Sequence, residues 1–205
     1  MAEKENVGMD DYGYVRVGTA VPKTKVAAPQ QNIESMLELV HTTPEMACDV
    51  VVFPELCVTA YTCGDLFKQR TLIEAAEREL ARFLNETVGM STIFGIGMPV
   101  VSDGKMFNCA VLCQDGRLLG VVPKTFIPGY KEYYEPRWFV SADARTWDDV
   151  ELCGDTVPFG TDLVFVSKHD SRFTIGVEIC EDLWAPIPPS SWLALAGVTV
   201  QLNLS

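Results

Sequence analysis

Three apolar runs each end in one residue able to do chemistry. Val50-Val51-Val52-Phe53-Pro54 leads to Glu55, Leu119-Gly120-Val121-Val122-Pro123 to Lys124, and Ile175-Gly176-Val177-Glu178-Ile179 to Cys180. A carboxylate, an ammonium and a thiol together can run nucleophilic acyl transfer. A free thiol has a pKa of about 8.5, so only a few per cent is thiolate near neutrality. Glu55 can take the thiol proton and pass it to a leaving amine. Lys124 and the backbone N–H of Glu181 can hold a developing oxyanion. Each residue alone has an ordinary reading: a turn acid, a solvated lysine and a small core cysteine. The recurrence of one pattern three times favours chemistry. Open α/β sheets gather ligands at such strand ends, and the three side chains converge if the three strands are neighbours.

Other motifs are weaker. Cys-His catalysis needs a histidine, and the two present, His41 and His169, fall near a helix end and in a turn. Gly95-Ile96-Gly97 lacks the third glycine and following helix of a dinucleotide loop. Ser102-Asp103-Gly104-Lys105 matches S-x-x-K but sits in a turn between strands. The seven cysteines contain no C-x-x-C pair, and Cys109 and Cys113 share one strand face as packing residues. No metal site is expected.

The elements that must position these residues alternate in type. The spacing predicts strands over 14–20, 50–53, 92–98, 107–113, 118–122, 163–166, 173–179 and 198–204. Helices are predicted over 32–40, capped by Asn32, over 69–88, and from a Ser190 cap to 196. Asp115-Gly116 signals a hairpin. Residues 125–147 form a long aromatic loop, and Lys168-His169-Asp170 a turn. Mixed strands and helices without strict βαβ alternation suggest a layered α/β architecture.

Composition bounds the rest. The chain has 205 residues, 48% of them apolar, and a formal net charge of −12. That length suits one domain. Without clustered Lys/Arg, nucleic acid is not an expected partner, and neither is an anionic membrane surface. The charge-free run 183–205 is long enough to raise a membrane span. Pro186, Pro188 and Pro189 break it, so it reads as core. Residues 1–14 lack the pattern of a secretory signal, and a reduced cytoplasmic setting is expected.

Phe53-Pro54-Glu55-Leu56, Pro123-Lys124-Thr125 and Glu178-Ile179-Cys180-Glu181-Asp182-Leu183-Trp184 resemble, in order and separation, the three signature segments of the nitrilase (carbon–nitrogen hydrolase) superfamily. Within it, residues 55–67, 123–128 and 133–139 are most similar to the glutaminase modules of glutamine-dependent NAD synthetases. The resemblance implies a nitrilase-like four-layer α-β-β-α sandwich. It implies a Glu55, Lys124, Cys180 triad acting on the side-chain amide of L-glutamine through a γ-glutamyl thioester. Glu135 matches the superfamily's second glutamate, and Tyr61, Tyr130, Glu181 and Trp184 match substrate-pocket positions. Packing under the long loop is the alternative for Tyr130 and Trp184.

The same resemblance implies no cofactor for amide hydrolysis. ATP and magnesium belong to a synthetase module that amidates nicotinic acid adenine dinucleotide, and no Ser-Gly-Gly phosphate loop for it is present here. The chain therefore reads as one hydrolase domain over 1–205, truncated before its last strands. The family's substrate-binding serine and arginine would follow residue 205. The family also implies a homo-oligomer and ammonia transfer to the synthetase domain of a longer chain. Ala60 stands where the family often has glycine, which matters if the backbone there needs positive φ. Two other readings stay open: a stand-alone amidase or nitrilase, and a non-catalytic domain that assembles with a partner.

Overall fold

The computed structural model describes residues 13–42, 46–168 and 171–205. The predicted turn at His169 and Asp170 and the polar segment up to residue 12 lie outside the described residues. Five strands form the first sheet: β1 (Val17–Thr19), β2 (Val50–Val52), β3 (Ile93–Ser102), β4 (Lys105–Gln114) and β5 (Arg117–Pro123). They run in chain order, β1 to β3 parallel and β3 to β5 antiparallel. The two antiparallel joints are two-residue turns at Asp103-Gly104 and Asp115-Gly116, all four residues at positive φ, as type I′ hairpins require.

A hairpin, β6 (Asp149–Leu152) with β7 (Asp155–Pro158), follows the long loop. The alternation Asp149-Val150-Glu151-Leu152 before Cys153-Gly154 was a strand signal that the sequence reading passed over. The second sheet contains β8 (Phe165–Val166), β9 (Thr174–Ile179) and β10 (Val200–Leu204) in the order β10-β9-β8. Three helices complete the fold: α1 (Pro29–Val40), α2 (Arg70–Glu86) and α3 (Pro189–Leu195).

Strand alternation explains the layering. In β2, Val50 and Val52 face the second sheet, where they join Ile175, Val177, Ile179, Leu202 and Leu204. Val51 faces the other way, into a core with Ile33, Met36 and Leu37 of α1 and Leu80 and Phe83 of α2. On the far side, α3 covers β9: a Cβ on Gly176 would lie 3.0 Å from the Leu193 side chain. The order is thus helices, sheet, sheet, helix, the four-layer arrangement expected. Cys109 and Cys113 are fully buried in the helix-side core, as packing requires. Among the described residues no group of three or more His, Cys, Asp or Glu is placed to hold a metal ion, and no helix is long and apolar enough to cross a membrane.

Two expected caps are different in the structure. Pro29 opens α1, and Asn32 lies inside the helix, fully buried. Its Oδ1 accepts from Lys25 N, and its Nδ2 donates to Lys25 O and Val58 O. A buried amide is more useful spanning two loops than capping a helix that proline already starts. Ser190 likewise sits inside α3, which begins at Pro189, and its backbone N–H donates to Glu178 Oε2.

Candidate active site

Glu55 lies three residues beyond β2, in a turn that Leu56 enters at φ 51°. The turn is anchored on both sides. Phe53 N donates to Gly95 O at 2.8 Å and Val58 N to Gly97 O at 3.2 Å. Phe53 packs edge-on to Phe83, which meets Phe94 the same way. Gly97 is the unmarked requirement here. A Cβ at that position would sit 2.4 Å from both Leu56 N and Pro54 O, so no side chain fits beneath the Glu55 turn. The glycine that fails as part of a dinucleotide loop is needed for close backbone approach.

The three strands that deliver the candidate residues are not neighbours. Two strands separate β2 from β5, and β9 belongs to the other sheet. The side chains converge nonetheless, because the two sheets pack face to face and the segments beyond these strands meet at one end. Lys124, with no solvent exposure, reaches Glu55 Oε1 at 2.7 Å. It also contacts Glu135 Oε1 and Oε2 at 2.8 and 3.0 Å. The Cys180 thiol shares a cleft with Glu55 and Ser205, close enough that the Glu55 charge and Lys124 both act on it. Cys180 has φ 46°, a strained conformation of the kind that clusters at functional sites. Glu55, Cys180, Tyr61, Tyr133 and Ser205 line one cleft of about 370 Å³.

The electrostatics follow from burial. Desolvation raises the Glu55 carboxyl above the ordinary carboxylate range, although Lys124 opposes it. Burial alone would lower Lys124, but the two carboxylates overcome it and hold the ammonium protonated. Burial, and then the Glu55 charge, push the Cys180 thiol up to about 11, with Lys124 opposing. At neutral pH the thiol therefore rests protonated, beside a carboxyl group of raised basicity. That is the arrangement for general-base activation.

Of the predicted pocket residues, Glu135 and Tyr61 join this centre. Glu135 is buried in the short 3-10 turn Glu135–Arg137 and accepts from Tyr61 Oη at 2.7 Å. Its turn is stapled from outside: Arg137 grips Asp65 through two N–H donors at 2.6 and 2.7 Å, and Trp138 Nε1 adds a third at 2.9 Å. Tyr130 Oη donates to Glu181 Oε1 at 2.8 Å, and its ring meets Tyr133 at the cleft edge. Trp184 is 76% exposed and does not line the cleft. Exposure also disfavours simple packing for Tyr130 and Trp184. His41 caps the end of α1 and does not line the cleft either, while His169 lies outside the described residues.

Two residues went unread. Asn108, buried on β4, donates from Nδ2 to Glu55 Oε1 at 2.7 Å, and its carbonyl receives Lys124 N at 2.8 Å. Asp182, also buried, accepts three backbone N–H bonds, from Thr125, Phe126 and Ile179. A lone asparagine inside an apolar strand was the signal for the first. The second stood inside a motif already noticed, two places after the thiol. Ala60, in the same turn region, has φ 66°, so its backbone does occupy the region that glycine favours.

Comparison with known proteins gives the family and the fold. The carbon-nitrogen hydrolase family model matches residues 16–205. The chain is 36% identical over 194 residues to the glutamine-dependent NAD(+) synthetase of Mycobacterium tuberculosis (strain CDC 1551 / Oshkosh), covering 95% of this chain and 28% of that protein. For the Mycobacterium leprae protein of the same name the identity is 34%, with 94% and 28% covered. Among solved structures, the glutamine-dependent NAD(+) synthetase of Cytophaga hutchinsonii superposes with TM-score 0.78 at 25% identity, over 92% of this chain and 30% of that one. An amidase from Nesterenkonia shares the fold, with TM-score 0.68 at 16% identity over 92% and 64%. The chain spans less than a third of the length of these synthetases.

Proposed function

The chain belongs to the carbon–nitrogen hydrolase family, and from that premise we propose that it hydrolyses the side-chain amide of L-glutamine. The observation that carries the reading is the buried ammonium of Lys124 joined to both Glu55 and Glu135, beside the Cys180 thiol. The similarity to synthetases named for glutamine dependence favours glutamine among amides.

Glu55 takes the Sγ proton as sulfur attacks the amide carbon. The oxyanion is met by the Glu181 backbone N–H and by Lys124. Lys124 has three donors for two carboxylates. When the two Glu135 oxygens share one N–H, another is left for the oxyanion. Collapse breaks the C–N bond, and Glu55 returns the proton to the departing ammonia. Water, deprotonated by Glu55, then attacks the γ-glutamyl thioester. Glutamate leaves, and the proton returns to Cys180. Tyr61 and Asn108 hold the two carboxylates in place. In this reading the hydrogen-bonded pair Tyr130 and Glu181 receives the amino-acid end of the substrate, while Trp184, outside the cleft, is given no role by this geometry.

In the full-length protein the ammonia would amidate nicotinic acid adenine dinucleotide in a synthetase domain. ATP and magnesium would act there, and no residue of this chain is assigned to them. A cytoplasmic homo-oligomer is part of the same proposal.

The test is ammonia release from L-glutamine, by this chain and by a longer version of it, each beside Cys180→Ala. Cys180-dependent release supports the reading. Folded proteins that release ammonia from another amide, and not from glutamine, would replace it with a general amidase. Folded proteins inert to every amide would leave only a structural role.

A further inference from the structure

Asp182 belongs to the same turn as the thiol but is not among the residues that line the cleft. It is 1% exposed. Its Oδ2 accepts Ile179 N, on the N-terminal side of Cys180, at 3.0 Å. Its Oδ1 accepts Thr125 N and Phe126 N, on the C-terminal side of Lys124, at 3.0 and 2.7 Å. One carboxylate therefore binds the turn that carries the nucleophile to the loop that carries the ammonium. These segments come from different sheets, lie 56 and 57 residues apart, and share no strand ladder. The turn also contains a cysteine at φ 46° and the backbone N–H of Glu181.

We propose that Asp182 is a positioning residue, a clasp that holds the strained Cys180 turn at its working distance from Lys124 and Glu55. The inference rests on the hydrolase reading above and deepens it. Only an ionised carboxylate supplies three acceptor sites with no donor of its own. Burial raises the Asp182 carboxyl to about 6, against the three N–H bonds and Lys124, which lower it. Near neutral pH it is the acceptor the three amides need. Lys124, just past β5, acts on it electrostatically; Glu181 in its own turn is engaged by Tyr130, and Glu178 on β9 is engaged by Ser190 N.

Asp182→Asn tests the clasp, because the amide keeps the shape but turns an N–H₂ towards one or more backbone donors. In glutamine turnover we expect kcat to fall on the order of 10²-fold with KM little changed, since misplacement by an ångström costs about that much. The reactivity of the Cys180 thiol towards iodoacetamide, read at that residue by mass spectrometry across pH, should move the other way. Released from burial and from Glu55, its midpoint should fall from about 11 towards the ordinary value of about 8.5. Circular dichroism should remain that of the wild type. A folded Asp182→Asn with wild-type kcat and an unmoved thiol profile overturns the clasp.

If that variant does not fold, amide hydrogen exchange in the wild-type chain decides. Thr125, Phe126 and Ile179 should be protected, and exchange as fast as in exposed loops overturns the clasp. The thiol and exchange readouts need no substrate. Wild-type failure on glutamine would sink the proposed substrate and leave the clasp to be judged on its own.

Discussion

Glu55 and Lys124 lie 69 residues apart in the chain and 2.7 Å apart in space, with the lysine wholly buried. No strand pairing connects them directly, since β3 and β4 run between. Two carboxylates share this one ammonium, so it is a structural counter-ion as well as the oxyanion donor of the proposed mechanism.

Removing the ammonium should therefore cost stability as well as rate. Lys124→Met leaves Glu55 and Glu135 facing each other without a cation. Breaking a buried pair on one side typically costs about 3–5 kcal/mol. Loss of the oxyanion donor should lower turnover roughly 10²–10³-fold. Urea unfolding and ammonia release check both halves. Wild-type stability in Lys124→Met would mean the carboxylates are not charged together.

In the proposed mechanism Glu55 sets the acid side of the pH profile. It must be ionised to take the thiol proton, and burial raises its pKa. Activity should be full above that raised value and fall as pH drops through it. The midpoint of kcat/KM should lie above the ordinary glutamate value of about 4.3. Asp182 also titrates above its usual range, so the limb is a property of the coupled set. A midpoint at or below 4.3 contradicts a buried base. Glu55→Gln should lower turnover on the order of 10²–10⁴-fold.

How much of this was legible depends on what the chain writes locally. Glu55, Lys124 and Cys180 stood out because apolar runs, two ending in proline, delivered each of them. Their meeting was not legible as strand adjacency. It arises from stacking two sheets, and periodicity does not encode which sheet a strand joins. Gly97 and Asn108 were invisible for a related reason. Each is one residue in an apolar strand, and its role is defined by a turn some 40 to 53 residues earlier. Asn32 misled because an asparagine before an apolar helical stripe has the composition of a cap, while its true partners include Val58 O.

Gly97 should tolerate no side chain. In Gly97→Ala the new Cβ meets backbone atoms of Pro54 and Leu56 at 2.4 Å, and backbone gives way less easily than a side-chain tip. Overpacking of this kind costs about 1–3 kcal/mol. The displaced turn is the one that carries Glu55, so kcat should fall with it, by roughly 10²-fold for a shift near an ångström. Stability and kcat measured together separate this from simple destabilisation. An active, fully stable Gly97→Ala would show that the Glu55 turn is not pinned against β3.

Ala60 offers the opposite change. It sits at φ 66°, where an L side chain crowds its own backbone and glycine does not. It is also 7% exposed, in the turn that leads to Tyr61. Ala60→Gly should relieve strain of about 1–2 kcal/mol. Greater freedom of glycine in the unfolded chain offsets part of that, by about 0.4–1 kcal/mol. The net expectation is a small gain in stability, up to about 1.6 kcal/mol, read as a higher midpoint in urea unfolding with an unchanged slope. A clear loss would mean that the methyl group's packing inside the turn outweighs the backbone strain.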